Sequence, residues 1–429
     1  FFFFQAEDGI RDVERSRGLG DVDKRQPIVF VIGLASLIYM LISGLPLELI
    51  PQRMFVGVDQ FVLMAVPFFM LAGNIMNYGG LTKRLIKFCN VIIGNVRGGL
   101  AYVNIFASMI FAGITGSATA DTSSIGSILI PAMKEEGYSA DFSAAVTAAS
   151  STIGGIIPPS IPFVIYAVTA GGVSVAGLFL GGIIPGILIG LFQMALVLFY
   201  SYKGKCPPAI NKSRRLSLKE IHSECRDAIL ALIMPIIMIG GILSGIFTPT
   251  EASAVSCVYA LVVSLFVYKE ITISDLPKII LSSGLTTGAC FMIVAVAAPF
   301  GWVLSAEMVP QKMANMILSL TDNPNVILLL IIMLLLFLGT FMETIAAIIV
   351  ITPVLLPLAA NLGLNPIHFG LIVCIGIYIG LITPPVGICL YIASTIAKIS
   401  LEEISKAIIP FILLSVLVLL IVAYFPSAV

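Results

Sequence analysis

Uncharged apolar runs recur along nearly the whole of this chain, and they leave few folds open to it. "GLFLGGIIPGILIGLFQMALVLFY" (177–200) and "ILLLIIMLLLFLGTF" (327–341) contain no charged residue. A helix that crosses a bilayer needs about 20 such residues. Charge falls on only 11% of the 429 positions, where a soluble chain carries roughly 25%. There is too little polar surface to cover a soluble particle of this size. The runs are continuous rather than alternating, which excludes an outer-membrane barrel. The expected fold class is therefore an all-α polytopic membrane protein.

Composition narrows the function as well. A net charge of zero gives no electrostatic basis for binding nucleic acid. The seven cysteines, Cys89, Cys206, Cys225, Cys257, Cys290, Cys374 and Cys389, show no CxxC or other ligand spacing. They read as small membrane-compatible residues. The two histidines, His222 and His368, are expected in loops, so metal or nucleophilic catalysis is poorly supplied. Residues 1–26, "FFFFQAEDGIRDVERSRGLGDVDKRQ", are dense in charge and lack both an apolar helical face and signal-peptide order. They read as a non-native or artefactual segment joined to a shortened first helix.

From residue 27 the sequence predicts nine crossings, near 28–43, 61–80, 143–171, 176–201, 227–246, 251–268, 279–303, 367–397 and 407–426. Two more apolar stretches, 99–132 and 326–358, are expected as re-entrant hairpins that return to their own side. The loop 203–226 holds seven Lys and Arg, and positive loops stay cytoplasmic. Counting outward from it places 16 of the 18 Lys and Arg after residue 26 on that side, leaving Arg53 and Lys312 outside. A single crossing in place of either hairpin would weaken this bias.

The chain also matches itself at one gapless offset of 226. Phe111 meets Phe337, Gly113 meets Gly339, Ile125 meets Ile351, Pro131 meets Pro357, Gly137 meets Gly363, Gly154 meets Gly380, and Pro158-Pro159 meets Pro384-Pro385. Most of these are residues that set backbone shape, so the copies are expected to share a path. The charge-derived topology puts the two hairpins on opposite sides. Inverted repeats with interrupted helices are the mark of secondary transporters, with the site at mid-membrane.

Each half breaks a helix at a double proline, in "TIGGIIPPSIP" and "YIGLITPPVGI". Proline removes an amide donor and clashes with the preceding turn, which frees carbonyls and creates half-helix ends. Carbonyls and half-helix C-termini suit Na⁺; half-helix N-termini suit a carboxylate. Beside the first break, "GITGSATADTSSIG" is expected at the first hairpin turn. Asp121 at the bilayer centre would cost about 2.5–3.5 kcal/mol on insertion scales, so it is expected to bind a cation or to cap the returning helix. Glu343, in "LGTFMETIAA", is the acid of the second turn and aligns with Ser117. Glu251, at a helix start after Thr248 and Pro249, reads as architectural. The basic amphipathic stretch "LTKRLIKFCNVI" (81–92) fits a helix lying in the interface.

On these motifs the sequence resembles the large membrane subunit (DctM-like) of tripartite ATP-independent periplasmic, or TRAP, transporters. The carrying residues are "VPFFMLAGNIM" (66–76), "GSATADTSSIGSILIPAMKEEGY" (116–138), "GGIIPPSIPFVIYA" (154–167), "GIFTPTEASAV" (245–255), "GTFMETIAAIIVITPVLLP" (339–357) and "GLITPPVGICLYIAS" (380–394). The resemblance implies an inverted-repeat elevator-type transporter of the bacterial inner membrane, coupled to Na⁺ and taking up an organic acid such as a C4-dicarboxylate or sialic acid. It implies two partners, a periplasmic solute-binding protein (DctP-like) and a small four-helix membrane subunit (DctQ-like), and no cofactor beyond Na⁺ as coupling ion. Carried onto this chain, one Na⁺ site would use Ser117, Thr119, Asp121, Gly155 and Pro158. The other would use Gly339, Thr340, Glu343, Thr383, Pro384 and Gly387. Substrate would lie between the turns, at Gly116, Ser117, Pro159, Ser160, Thr340 and Pro385.

The implied organisation is scaffold helices and an interfacial arm over 27–98, and a first hairpin with its broken helix over 99–171. Scaffold helices with a second arm follow over 172–325, then the second hairpin with its broken helix over 326–397 and a C-terminal helix over 398–429. A binding-protein-independent anion carrier or antiporter of a related fold is the main alternative. A channel or an intramembrane protease fits the motifs less well.

Overall fold

The structure is a computed structural model that describes the backbone of residues 20–204, 206–207, 218–321 and 323–426. Among these residues there are eighteen α-helices and no strand. The first half runs through α1 (Gly20–Ile42), α2 (Leu49–Val58), α3 (Ala65–Tyr78), α4 (Leu81–Ile93), α5 (Gly99–Thr115), α6 (Ala118–Glu135), α7 (Ala140–Ser151), α8 (Ile161–Thr169) and α9 (Val175–Tyr202). After α10 (Leu218–Leu243) come α11 (Pro249–Val262), α12 (Leu276–Ala306), α13 (Val309–Leu320), α14 (Pro324–Phe341), α15 (Thr344–Asn361), α16 (Pro366–Gly380), α17 (Ile388–Ala397) and α18 (Leu401–Tyr424).

Among the described residues, eight spans are long and apolar enough to cross a membrane. Six of them, Phe61–Tyr78, Val175–Tyr202, Arg226–Leu243, Pro249–Val267, Ile273–Ala306 and Leu401–Tyr424, fall on crossings expected from the sequence. The expected crossings at 143–171 and 367–397 are each built from two shorter helices, as the double prolines require. The other two long spans are α14 and α15, expected as one hairpin. Each has 18 residues, and both pack more closely on α16 than on each other. The first helix, expected from residue 28, is already helical at Gly20, the first described residue. Of the opening 26 residues, 1–19 lie outside the described ones.

Helix starts follow local chemistry. Thr248 and Ser400 open α11 and α18 through capping boxes with Glu251 and Glu403. The Glu251 Oε2 accepts from both Thr248 N and Thr248 Oγ1 at 2.8 Å, the architectural role its position promised. Asn365 caps α16 with Pro366 at the first helical position. That places His368 in the first turn of a helix and corrects its assignment to a loop. It is buried, with Nε2 2.7 Å from the Val422 carbonyl oxygen. His222 likewise falls within α10; its side chain lies outside the described residues.

The internal repeat holds at the level of whole elements. α6 and α15 begin and end 226 residues apart, and the starts of α5/α14, α7/α16, α8/α17 and α9/α18 agree to within one residue. α9, placed among scaffold helices by the sequence, packs against α18, its counterpart, and against α5 and α16. Gly182, Gly186 and Gly190 form its contact ridge, and a Cβ on Gly182 would stand 2.5 Å from the Ile156 carbonyl oxygen. Small residues four apart are what close helix approach in lipid demands.

The copies share a path and not a chemistry. Asn104 Nδ2 donates to Thr147 Oγ1 (2.6 Å), and Ser150 Oγ donates to Asn104 Oδ1 (3.0 Å). Ser108 Oγ donates to Ser150 Oγ (3.0 Å), and Gln193 Nε2 donates to the Ala149 carbonyl (3.1 Å). All four of these polar residues and Thr147 are buried. The positions 226 further on hold Leu330, Leu334, Val373, Gly376 and Leu419.

α4 is the amphipathic stretch. It buries Leu81, Leu85, Ile86 and Cys89 and exposes Lys83 and Lys87. Its first turn is pinned to the end of α11. The Arg84 guanidinium stacks 3.9 Å from the Tyr268 ring centroid and pairs with Glu270 at 2.8 Å.

Candidate functional site

In both halves the turn between two helices sits on a broken helix. α7 ends at Ser151, continues as a 3₁₀ turn over Thr152–Gly155, and helix resumes only at Ile161. Ser160 caps α8 by accepting from Phe163 N at 3.4 Å. In the second half α16 ends at Gly380 and α17 begins at Ile388. Both intervening proline–proline bonds, Pro158-Pro159 and Pro384-Pro385, are cis. Pro158, Pro159 and Ser160 are buried, whereas Pro385 and Val386 are exposed.

At the first turn Gly116 adopts φ +60°, a conformation that favours glycine, and is pressed onto the break. A Cβ there would stand 2.8 Å from the Pro159 carbonyl oxygen and 3.2 Å from Ile161 N. Ser117 is the N-cap of α6, its Oγ 3.1 Å from Thr119 Oγ1. Asp121 is fully buried, and its Oδ2 lies so close over Gly154 that a Cβ on that glycine would overlap it. The first turn and its break therefore meet at two places, Asp121 over Gly154 and Gly116 against Pro159. One detail is corrected: α6 starts three residues before Asp121, so the capping position belongs to Ser117. Asp121 lies one turn inside, where the dipole still favours a carboxylate.

At the second turn the backbones of Gly339 and Gly380 touch. A Cβ on Gly339 would be 2.9 Å from the Gly380 Cα and 2.7 Å from the Ile377 carbonyl oxygen. Gly387 N donates to the Thr340 carbonyl (3.3 Å), joining turn to break. Thr340 Oγ1 donates to the Phe337 carbonyl (2.7 Å) and Thr383 Oγ1 to the Ile379 carbonyl (2.8 Å). Glu343 caps α15, its Oε2 accepting from Ile345 N (2.9 Å) and Ala346 N (3.3 Å), with 7% of its surface exposed. The two acids thus hold different stations, one at a cap and one a turn inside. Both regions offer carbonyl, hydroxyl and carboxylate oxygens, a hard donor set that fits Na⁺. Among the described residues, no three His, Cys, Asp or Glu gather as a metal cluster.

Sequence reasoning missed Tyr378. Its ring fills the space over Gly155, where a Cβ would overlap the phenol, and its hydroxyl lies 3.5 Å from the Gly116 carbonyl oxygen. A tyrosine in the otherwise apolar run "LIVCIGIYIG" was the available signal. Gly154, noticed as a repeat landmark, proves to be the seat of the Asp121 carboxylate.

An all-helical bundle of membrane spans with two interrupted helices defines a polytopic membrane transporter fold. The structure of Neisseria gonorrhoeae MtrF, described within a class of antimetabolite efflux pumps, matches with a TM-score of 0.67 over 94% of both chains at 14% identity. The YdaH transporter of Alcanivorax borkumensis matches with a TM-score of 0.64 over 92% of this chain and 89% of that one, also at 14% identity. Residues 24–428 match the family described as tripartite ATP-independent periplasmic transporter, DctM component. The chain belongs to that family and is a multi-pass protein of the inner membrane. It is 42% identical to the Salmonella typhimurium protein YgiK over 94% of this chain and 92% of that one. It is 38% identical to the Vibrio cholerae sialic acid TRAP transporter large permease protein SiaM over 95% of both. It is 39% identical to the Pseudomonas aeruginosa C4-dicarboxylate TRAP transporter large permease protein DctM over 87% of both.

Proposed function

We propose that this chain is the large membrane subunit of a secondary transporter that draws an organic acid into the cell by coupling it to Na⁺ entry. The observation that carries this is the turn seated on a proline break in each half, with a buried acid beside it. Relatives named for sialic acid and C4-dicarboxylates support a carboxylate substrate. The first cation is held by Ser117, Thr119, Asp121, Gly155 and Pro158, the second by Gly339, Thr340, Glu343, Thr383, Pro384 and Gly387. The substrate carboxylate lies between the turns near Gly116, Pro159, Ser160 and Pro385, facing the N-terminal ends of α6, α8, α15 and α17, whose dipoles favour an anion.

Bound Na⁺ offsets the charge of Asp121 and of the substrate, so only the loaded unit crosses the membrane at low cost. The moving unit comprises both hairpins, both broken helices, and α9 and α18, which pack on them. It slides as an elevator against the remaining helices. The charge bias of the loops supports re-entrant hairpins at 99–132 and 326–358, although α14 and α15 have the length to span. A solute-binding protein in the periplasm delivers substrate, and a small membrane subunit completes the complex.

The test is uptake into proteoliposomes holding this chain with its small subunit, driven by an inward Na⁺ gradient or by choline in its place. Labelled C4-dicarboxylates and sialic acid are supplied with and without loaded binding protein. Accumulation is expected only with Na⁺ and binding protein together. Equal accumulation in choline refutes the coupling, and uptake without the soluble protein favours an independent carrier.

A further inference from the structure

Tyr378 belongs to the second repeat yet reaches into the site of the first. It stands on α16, two residues before the helix stops at Gly380, and 1% of its surface is exposed. Its ring covers Gly155 in the first break, where nothing larger than glycine fits beneath it. Its hydroxyl faces the carbonyl oxygen of Gly116, the left-handed residue at the first turn, at 3.5 Å. The repeat cannot explain it, because the position 226 earlier is Thr152, which donates to the Ala149 carbonyl within its own half (2.7 Å).

A second tyrosine makes the reciprocal crossing. Tyr166, on α8 of the first repeat, donates to the Pro366 carbonyl at the start of α16 (2.8 Å), and its ring covers Gly370. That link lies at the far end of α16 from the breaks. It fastens the halves at Pro366 and Gly370. Of the two tyrosines, Tyr378 is the one that reaches the first turn, at the Gly116 carbonyl, and the break residue Gly155.

We infer that Tyr378 is a positioning residue that makes the two cation sites interdependent. By holding the Gly116 carbonyl and lying over Gly155, it fixes the first turn on its break from a helix whose own end forms the second site. A cation that orders the second break steadies α16, and through the phenol it steadies the first turn. This inference rests on the Na⁺-coupled function proposed above.

The experiment is a Na⁺ titration of purified wild-type chain and Tyr378→Phe, read as the Na⁺-dependent rise in unfolding temperature in detergent against choline. Initial uptake rates in proteoliposomes are then measured against Na⁺ concentration. Phenylalanine keeps the ring over Gly155 and removes one hydroxyl interaction. The half-saturating Na⁺ concentration should rise roughly two- to tenfold, the effect of one hydrogen bond, and the steepness of the Na⁺ curve should fall towards that of a single site. Tyr166→Phe, which removes the other bridge, should leave both quantities unchanged. If wild type shows no Na⁺ response, the proposed coupling fails. If wild type responds and Tyr378→Phe has the same half-saturation and steepness, with only yield or maximal rate reduced, this inference fails by itself.

Discussion

Replacing Gly339 by alanine tests the closest backbone approach in the site. The added Cβ would stand 2.7 Å from the Ile377 carbonyl oxygen, 2.9 Å from the Gly380 Cα and 3.1 Å from the Ile377 Cα. Ordinary contact begins at 3.4 Å, and all three neighbours are main chain, so no side chain can rotate away. α14 and α16 must separate, and overpacking of this kind costs about 1–3 kcal/mol. Alanine recovers about 1 kcal/mol as the better helix former, which leaves a net loss of roughly 0–2 kcal/mol. Gly288→Ala is the control. Nothing lies within 4 Å of that position in α12, so only the helix-propensity gain remains. Cys89, Cys206, Cys290, Cys374 and Cys389 are buried, and a thiol-reactive dye therefore reports unfolding in detergent. Gly339→Ala should unfold about 1–3 °C below Gly288→Ala, since the propensity gain cancels between them and about 1 kcal/mol moves the midpoint of a chain this long by about 1 °C. The Gly387–Thr340 bond should loosen with it and raise the Na⁺ requirement. A Gly339→Ala protein as stable as the control would show that these backbones do not touch.

Further substitutions separate charge from architecture. Asp121→Asn and Glu343→Gln should each raise half-saturating Na⁺ at least tenfold while reaching the membrane in normal amounts; wild-type Na⁺ curves in both would remove the acids from the cation sites. Thr248→Ala removes the capping box of α11 and should cost about 1 kcal/mol in thermal stability, with the Na⁺ curve unmoved. Arg84→Met loses both the Glu270 pair and the Tyr268 stack at the base of α4. It should lower the maximal uptake rate without altering half-saturation by Na⁺, and an altered half-saturation would contradict a purely mechanical anchor.

What the sequence disclosed depended on the physics behind each signal. Glycine and proline dictate backbone path, so the offset of 226 read from them recurs in the helices, α6 and α15 beginning and ending that far apart. Capping chemistry is local, and Glu251 behaved as its neighbours required. His368 was misplaced because "NPIHFG" resembles a turn, whereas Asn365 and Pro366 are a helix start. Asp121 looked like a cap because the turn before it is rich in small residues, any of which could open the helix; Ser117 does. Tyr378 was invisible because a lone aromatic in an apolar run has no periodicity. Its importance comes from a glycine 223 positions away in the chain.

The buried cluster of Asn104, Ser108, Thr147, Ser150 and Gln193 bears on how the molecule is assembled. Polar side chains entering lipid on separate helices have no partners until those helices meet. α5 and α7 therefore become comfortable in hydrocarbon only after docking on each other, and α9 only after Gln193 finds α7. Their counterparts hold Leu330, Leu334, Val373 and Leu419 at these places, and α16 keeps one such link, from His368 to the Val422 carbonyl of α18. Emerging from the ribosome first, the amino-terminal copy has to gather three helices around one polar knot; the carboxy-terminal copy has a single histidine to settle, and a finished surface to settle against.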